Sequence, residues 1–174
     1  ARIHVVGKSV RSGLFSVPDC QSITKKAIVE KLKKRYHRQI FEEDGAEYRI
    51  SVSILKDEVS ITLDTSGAGL HKRGYRSLAG EAPLKETLAC AMLLLSFWKP
   101  GRLLIDPMCG SGTIPIEAAM ISLNRAPGLR RRFCCEEWEF LPSAVFDEER
   151  QRAQEMMRKE ADLCIFGSDI NPKA

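Results

Sequence analysis

The stretch Leu103-Leu104-Ile105-Asp106-Pro107-Met108-Cys109-Gly110-Ser111-Gly112-Thr113 decides how this 174-residue chain is read. A short apolar run over residues 102–105 ends on a carboxylate and turns through two glycines. An apolar segment over residues 113–123 follows, and its Ile114, Ile116, Ala118, Ala119 and Ile121 predict a largely buried helix. Pro115 falls in the first turn of that helix, where a missing N–H costs little. Strand, glycine turn and helix in this order predict a ligand-binding edge of an α/β sheet. Glycine lets a backbone approach a ligand closely. The start of the helix offers unpaired N–H groups and the positive end of its dipole. Asp106 stands at the strand's mouth, where open α/β sheets bind ligands.

Three nucleotide-type ligands compete for such a turn, beside the plain reading of a tight turn with Asp106 as a helix cap. A phosphate loop needs G-x-x-x-x-G-K-[ST], and the chain contains no such string. A dinucleotide fingerprint needs a third glycine where Pro115 stands, and an acidic partner ~20 residues further on. The next strand-terminal carboxylate, Asp169, lies 59 residues beyond Gly110. S-adenosylmethionine fits better, having an ammonium and carboxylate at one end and two ribose hydroxyls at the other. Asp106 is suited to accept from the ammonium, and Asp169 from both hydroxyls, because charge-assisted hydrogen bonds are the strong ones.

Outward from the turn, residues 124–143 read as irregular, with Arg130-Arg131-Arg132, Cys134-Cys135 and Trp138. Residues 145–161 predict an amphipathic helix and 163–167 a second apolar strand ending at Ser168-Asp169. Upstream, Leu84, Leu88, Ala91, Met92 and Leu95 repeat at helical spacing after Pro83. Residues 64–82 are rich in glycine, and the domain boundary is expected there, giving units 1–76 and 77–174. Residues 47–55 alternate, with Tyr48, Ile50, Val52 and Ile54 on one side. With Val59, Ile61 and Leu63 they predict a hairpin turning at Lys56-Asp57. A strand at residues 2–6 and a helix from Pro18 to about His37 precede it. The helix carries an apolar stripe of Ile23, Ala27, Ile28, Leu32 and Tyr36 among many lysines.

Composition narrows the class further. The chain is 44% hydrophobic and 29% charged, and no 18-residue apolar run suggests a membrane span. Six cysteines form no C-x-x-C pair and the three histidines are scattered, so neither a zinc site nor a disulfide framework is expected. Reduced thiols in a cytoplasmic protein are the simpler reading. Residues 1–80 hold 15 Lys and Arg against 9 Asp and Glu; residues 81–174 hold 12 against 14. A basic first half suits a polyanion, and a near-neutral second half suits a small-molecule site.

Longer words in the sequence narrow the choice. The string Asp106 to Thr113 resembles the first motif of class I methyltransferases in its RNA-modifying form. Gly69-Leu70-His71-Lys72-Arg73-Gly74-Tyr75-Arg76, Ala82-Pro83-Leu84-Lys85-Glu86-Thr87-Leu88-Ala89 and Arg125-Ala126-Pro127-Gly128 are similar to one group within it. That group is the THUMP-domain ribosomal-RNA methyltransferases, some relatives of which carry the label N6-adenine DNA methylase.

The resemblance implies an α/β chain: part of a THUMP RNA-binding domain, then the first half of a Rossmann-like methyltransferase domain. It implies S-adenosylmethionine as cofactor and N2-methylation of a guanine in 23S rRNA. The alternatives are an inactive RNA-binding fragment and an N6-adenine methylase acting on DNA or RNA. Asp106, Met108, Cys109, Gly110, Ser111, Gly112 and Thr113 would line the methionine end of the pocket. Asp169 and Ile170 would hold the ribose and flank the adenine, and residues 83–87, with Thr87, would close the far side. Lys25, Lys26, Lys33, Lys34 and Arg35 would track RNA phosphates, or else form a solvated face. Arg73 and Arg76, with His71 and Tyr75, would touch RNA or staple the two domains. The family's target-base motif, Asn-Pro-Pro-Tyr, is expected beyond residue 174, so no catalytic residue is assigned within this chain and no metal is called for.

Overall fold

The computed structural model describes residues 1–75 and 84–171. It forms two compact units, Ala1–Gly67 with Phe133–Pro142, and Ala68–Arg132 with Ser143–Ala174.

In the first unit, β1 (Arg2–Val10) runs parallel to β2 (Glu47–Leu55), and β3 (Glu58–Asp64) returns antiparallel to β2. Helix α1 (Val17–Tyr36) makes the crossover that a parallel pair requires. The period-two pattern puts Val5, Val52 and Ile54 into the core, with Ile3, Ile50 and Cys20 packed against them. Gly7 is small because α1 lies directly on it: a Cβ there would meet Val17 and Gln21 at 2.9 Å. Gln21 also donates its side-chain N–H to the Val5 carbonyl, 3.2 Å away.

The half-buried face of α1 runs through Val17, Cys20, Gln21, Thr24, Ile28 and Leu32, so the expected stripe holds at Ile28 and Leu32 and fails at Ile23, Ala27 and Tyr36. Ile23 is 67% exposed and Tyr36 62% exposed. The face that is covered is the one whose Val17 and Gln21 stand over Gly7. Register puts Val59, Ile61 and Leu63 on the α1 side of the sheet, but all three are about half exposed. The helix lies mainly over β1, with a smaller contact to β2.

Two non-glycine residues with positive φ, Lys56 (50°) and Asp57 (66°), make the hairpin. Such turns favour Asn-Gly, so this one carries backbone strain. Asp57 offsets it by accepting from the Ser12 hydroxyl at 2.6 Å and the Gly13 N–H at 2.7 Å. These two bonds, the hydroxyl's first, hold the Asp57 carboxyl below its ordinary range.

Residues 133–142 pack with this first unit, although their sequence position lies within the 77–174 half. Cys135 donates its backbone N–H to the Thr65 carbonyl at 3.2 Å. The Trp138 indole N–H donates to the Glu47 carbonyl at 3.0 Å, and its ring stacks on Tyr48 with centroids 5.1 Å apart. Only 3% of Trp138 is exposed, so a large apolar area leaves water here.

In the second unit, β4 (Leu104–Asp106) and β5 (Ile165–Gly167) pair parallel. Helices α2 (Glu86–Leu95) and α3 (Thr113–Ser122) pack on each other, and α3 also meets both strands. Ala89, Leu93 and Ala118 form the apolar centre. Helix α4 (Ser143–Glu155) is shorter than its pattern suggests. Asn124 donates its side-chain N–H to the Met156 carbonyl at 3.0 Å, and the Arg158 N–H donates to the Leu123 carbonyl at 2.9 Å. These partners draw residues 156–158 out of the helix. Among the described residues no helix is long and apolar enough to cross a membrane.

Candidate functional site

Asp106 and Asp169, far apart in sequence, stand at neighbouring strand ends because β4 and β5 pair in one register, with Asp106 opposite Gly167. Backbone bonds continue the register past the strands. Ser168 N–H donates to the Asp106 carbonyl, and Cys109 N–H to the Ser168 carbonyl, each at 2.9 Å. The glycine turn is thereby tied to the second strand's exit. Gly110 (φ +51°) and Gly112 (φ +75°) both sit in the left-handed region, where a side chain is strained. Gly112 N–H closes on the Cys109 carbonyl at 2.9 Å and starts α3, with Thr113 buried behind it.

Asp169 holds the turn from the other side. Its Oδ1 accepts from the Asn171 N–H and its Oδ2 from the Gly110 N–H, both at 2.8 Å. Those two bonds, Asn171's first, keep its carboxyl below the ordinary aspartate range. The carboxylate is therefore ionised and fixed in place, with lone pairs still available to further donors. Asp106 accepts from the Met108 N–H at 3.2 Å and is only half-buried. Met108 and Ile170 are 83% and 100% exposed, so apolar surface flanks the carboxylates.

Nine of the ten residues expected to meet a cofactor thus gather on one loop cluster at the ends of β4 and β5. Thr87, expected to close the far side, stands exposed on the first turn of α2. Pro83 and Arg76 lie outside the described residues.

The cations expected to meet RNA divide. Lys25 pairs with Glu43 and Lys33 with Glu30, each at 3.0 Å; Lys26, Lys34 and Arg35 lie exposed on α1. Arg73 needs correction. Its side chain is only 10% exposed, and the guanidinium donates to Glu117 at 3.2 Å. The Tyr75 hydroxyl donates to the other oxygen of the same carboxylate at 3.0 Å. A guanidinium so buried is not presented to RNA. It holds residues 73–75 on α3, within the second unit.

Sequence reasoning missed three positions here. Glu117 had a signal, since a carboxylate inside an apolar helix needs a partner. Arg131, in a run of three arginines, had none; it is 9% exposed and donates to the carbonyls of Ala68 and, at 3.0 Å, Gly69. Gly167 is the third. A Cβ there would stand 3.1 Å from the Cys109 sulfur and 3.2 Å from Pro115. Gly167→Ala should therefore push the turn outward at a cost of about 1–3 kcal/mol. Urea unfolding would read it, and an unchanged midpoint would mean that the turn yields freely.

The chain as a whole resembles known proteins. Residues 73–174 match the family model described as RMKL-like, methyltransferase domain, and residues 1–64 match the THUMP domain. The chain belongs to the RMKL-like methyltransferase family. It is 53% identical over 172 residues to YpsC of Bacillus subtilis (strain 168), a protein named as a candidate RNA methyltransferase. That match covers 98% of this chain and 45% of YpsC. A Listeria monocytogenes protein, named as a predicted N6-adenine-specific DNA methylase, has a crystal structure with TM-score 0.91 and 53% identity. The match covers 98% of this chain and 45% of that one. SMU.472, a candidate methyltransferase crystallised with SAH, gives TM-score 0.90 at 44% identity, covering 99% of this chain and 46% of its own. The chain thus spans somewhat under half the length of these relatives. Its two parts match a THUMP domain and a Rossmann-like methyltransferase domain.

Proposed function

We propose that the complete protein is an S-adenosylmethionine-dependent RNA methyltransferase acting on the N2 amine of a guanine in 23S rRNA, in the cytoplasm. The observation that carries the cofactor reading is the pair Asp106 and Asp169 on adjacent strand ends around the Gly110–Gly112 turn. The cofactor supplies an electrophilic methyl group on a sulfonium. In this chain Asp106 would accept from its ammonium and Asp169 from its ribose hydroxyls, and Met108 and Ile170 would flank its apolar parts. A sulfonium is already a good leaving group, so the chain's task is to hold and orient the methyl donor. The SAH seen in SMU.472 supports this reading.

The RNA reading rests on the THUMP match and on the name of YpsC. The name of the Listeria relative favours a second reading, adenine N6 in DNA. Two measurements on the full-length protein separate them. Calorimetry with S-adenosylhomocysteine should show binding, with none for NAD. Methyl transfer should then be followed by nucleoside mass spectrometry on unmodified 23S rRNA and on DNA. N2-methylguanosine is the expected product; N6-methyladenine from DNA would overturn the substrate reading, and NAD binding the cofactor reading.

A further inference from the structure

We infer that a small cleft beside α3 holds one phosphodiester group of the substrate RNA, gripped by Arg125 and Arg130, a few nucleotides from the base to be methylated. The inference rests on the RNA reading above and adds a contact on the methyltransferase unit itself.

The way the chain leaves α3 builds the cleft. Asn124 takes a left-handed conformation (φ +51°), and the Arg125 N–H closes back on the Met120 carbonyl at 2.8 Å. Such an ending stops a helix and redirects the chain. Two further bonds coil the segment that follows. The Leu129 N–H donates to the Ala126 carbonyl at 3.3 Å, and the Arg131 N–H to the Gly128 carbonyl at 3.2 Å. Arg131 is buried and anchors the far end of the loop on the carbonyls of Ala68 and Gly69. Residues 73–75 lie against the same loop: a Cβ on Gly74 would stand 2.8 Å from the Arg130 carbonyl oxygen. Arg73 and Tyr75 from that stretch, Ile116 and Met120 from α3, and Arg125 and Arg130 from the loop line a cavity of about 100 Å³.

Size and charge select the ligand. The volume is that of roughly three waters, well below the roughly 300–1,000 Å³ of sites for drug-sized molecules. It suits a single oxyanion and not a whole nucleotide. No carboxylate lines it. Glu117 is buried and taken up by Arg73 and Tyr75, and Asp147 on α4 stands 4.0 Å from Arg150. Between Glu117 and Glu136 the chain has four arginines and no acid. Arg73 is neutralised by its partner, so the free charge of the cleft is that of Arg125 and Arg130. Their guanidiniums have no partner among the described residues. A guanidinium matches a phosphate bidentately, and apolar neighbours such as Ile116 and Met120 strengthen the attraction by lowering the local dielectric. Ile116 stands one turn of α3, about 6 Å, beyond Gly112. A phosphate held here would therefore fix the register of the strand presented at the cofactor turn.

The test uses the full-length protein and a fluorescein-labelled RNA stem-loop of ribosomal sequence, followed by anisotropy across a salt series. Arg125→Gln with Arg130→Gln should weaken RNA binding about tenfold and lower the salt slope by about one contact, since both arginines serve one phosphate. For the same reason the two single losses should not add. Arg125→Lys with Arg130→Lys keeps the charge but not the bidentate fork, and should recover only part of the affinity. Lys99→Gln with Lys159→Gln removes the same charge from exposed positions outside the cleft. That control pair should change binding less than about threefold. S-adenosylhomocysteine affinity and the urea midpoint should stay unchanged in every variant, which separates a lost contact from a lost fold. Should the glutamine pair lower that midpoint, the lysine pair carries the same test at smaller amplitude. An equal loss in the control pair, or an unchanged salt slope in the arginine pair, would overturn the inference and leave the RNA reading intact. Inorganic phosphate at matched ionic strength should not displace the RNA; displacement that the arginine substitutions abolish would assign the cleft to a free anion instead. Failure of the wild type to bind RNA would sink the RNA reading itself.

Discussion

Glu117→Ala should destabilise the second unit by about 3–5 kcal/mol, the usual cost of removing one partner from a buried ion pair. Glu117 is 2% exposed and sits within α3, where water cannot replace it. Its two oxygens take the Arg73 guanidinium and the Tyr75 hydroxyl, so its loss removes a shared acceptor from two donors at once. Arg73 has little reserve, because its Nε is already buried without a partner. Tyr75→Phe, which removes one neutral donor and leaves the ion pair, should cost only about 1 kcal/mol. Replacing both charges, Arg73→Met with Glu117→Leu, should come out near neutral, since the pair's attraction largely offsets its own desolvation. Urea titration followed by far-ultraviolet circular dichroism would rank the three. A loss below 1 kcal/mol for Glu117→Ala would mean that water reaches the pair, and the clamp on residues 73–75 would then be unimportant.

Asp169→Ala should lower S-adenosylhomocysteine affinity by about 10- to 100-fold, as expected for losing hydrogen bonds to a charged group. The same substitution releases the Gly110 N–H, so the turn itself loosens. Asp169→Asn keeps one acceptor oxygen and should fall between the two. Calorimetry at neutral pH measures the series; equal affinity in all three proteins would remove Asp169 from the site. The pH dependence follows from the same geometry. Backbone donors lower the carboxyl's pKa in the folded chain below the unfolded value of about 3.9. The contribution of Asp169 is therefore fully present above that value and is lost as pH falls through the lower, folded pKa. Affinity should be flat from about pH 5 to 8 on this account and drop only below about pH 4. Asp57, lowered by Ser12 and Gly13, adds a loss of hairpin stability in the same acidic window. A midpoint near neutrality would point to a different titrating group.

Some of this was legible residue by residue. Alternation at Tyr48, Ile50, Val52 and Ile54 specifies a half-buried strand, because the pleat turns every second side chain to the same face. Gly110 and Gly112 mark the turn, because positive φ is cheap for glycine and costly for other residues. Asp106 and Asp169 stood out as strand-terminal acids. Each of these signals is local, carried by a few neighbouring residues. What tertiary structure alone decided involves partners distant in sequence. Pairing of β4 with β5 set the two aspartates on adjacent strand ends, and the close approach of α1 to Gly7 turned Val17, Cys20 and Gln21 inward with Ile28 and Leu32, leaving Ile23 and Tyr36 outside. Burial turned Arg73 from an expected RNA contact into the counter-ion of Glu117, and aromatic stacking drew Trp138 onto Tyr48. A periodic pattern states which residues will leave water; it does not state what they will meet, because that depends on which elements come together and in which register.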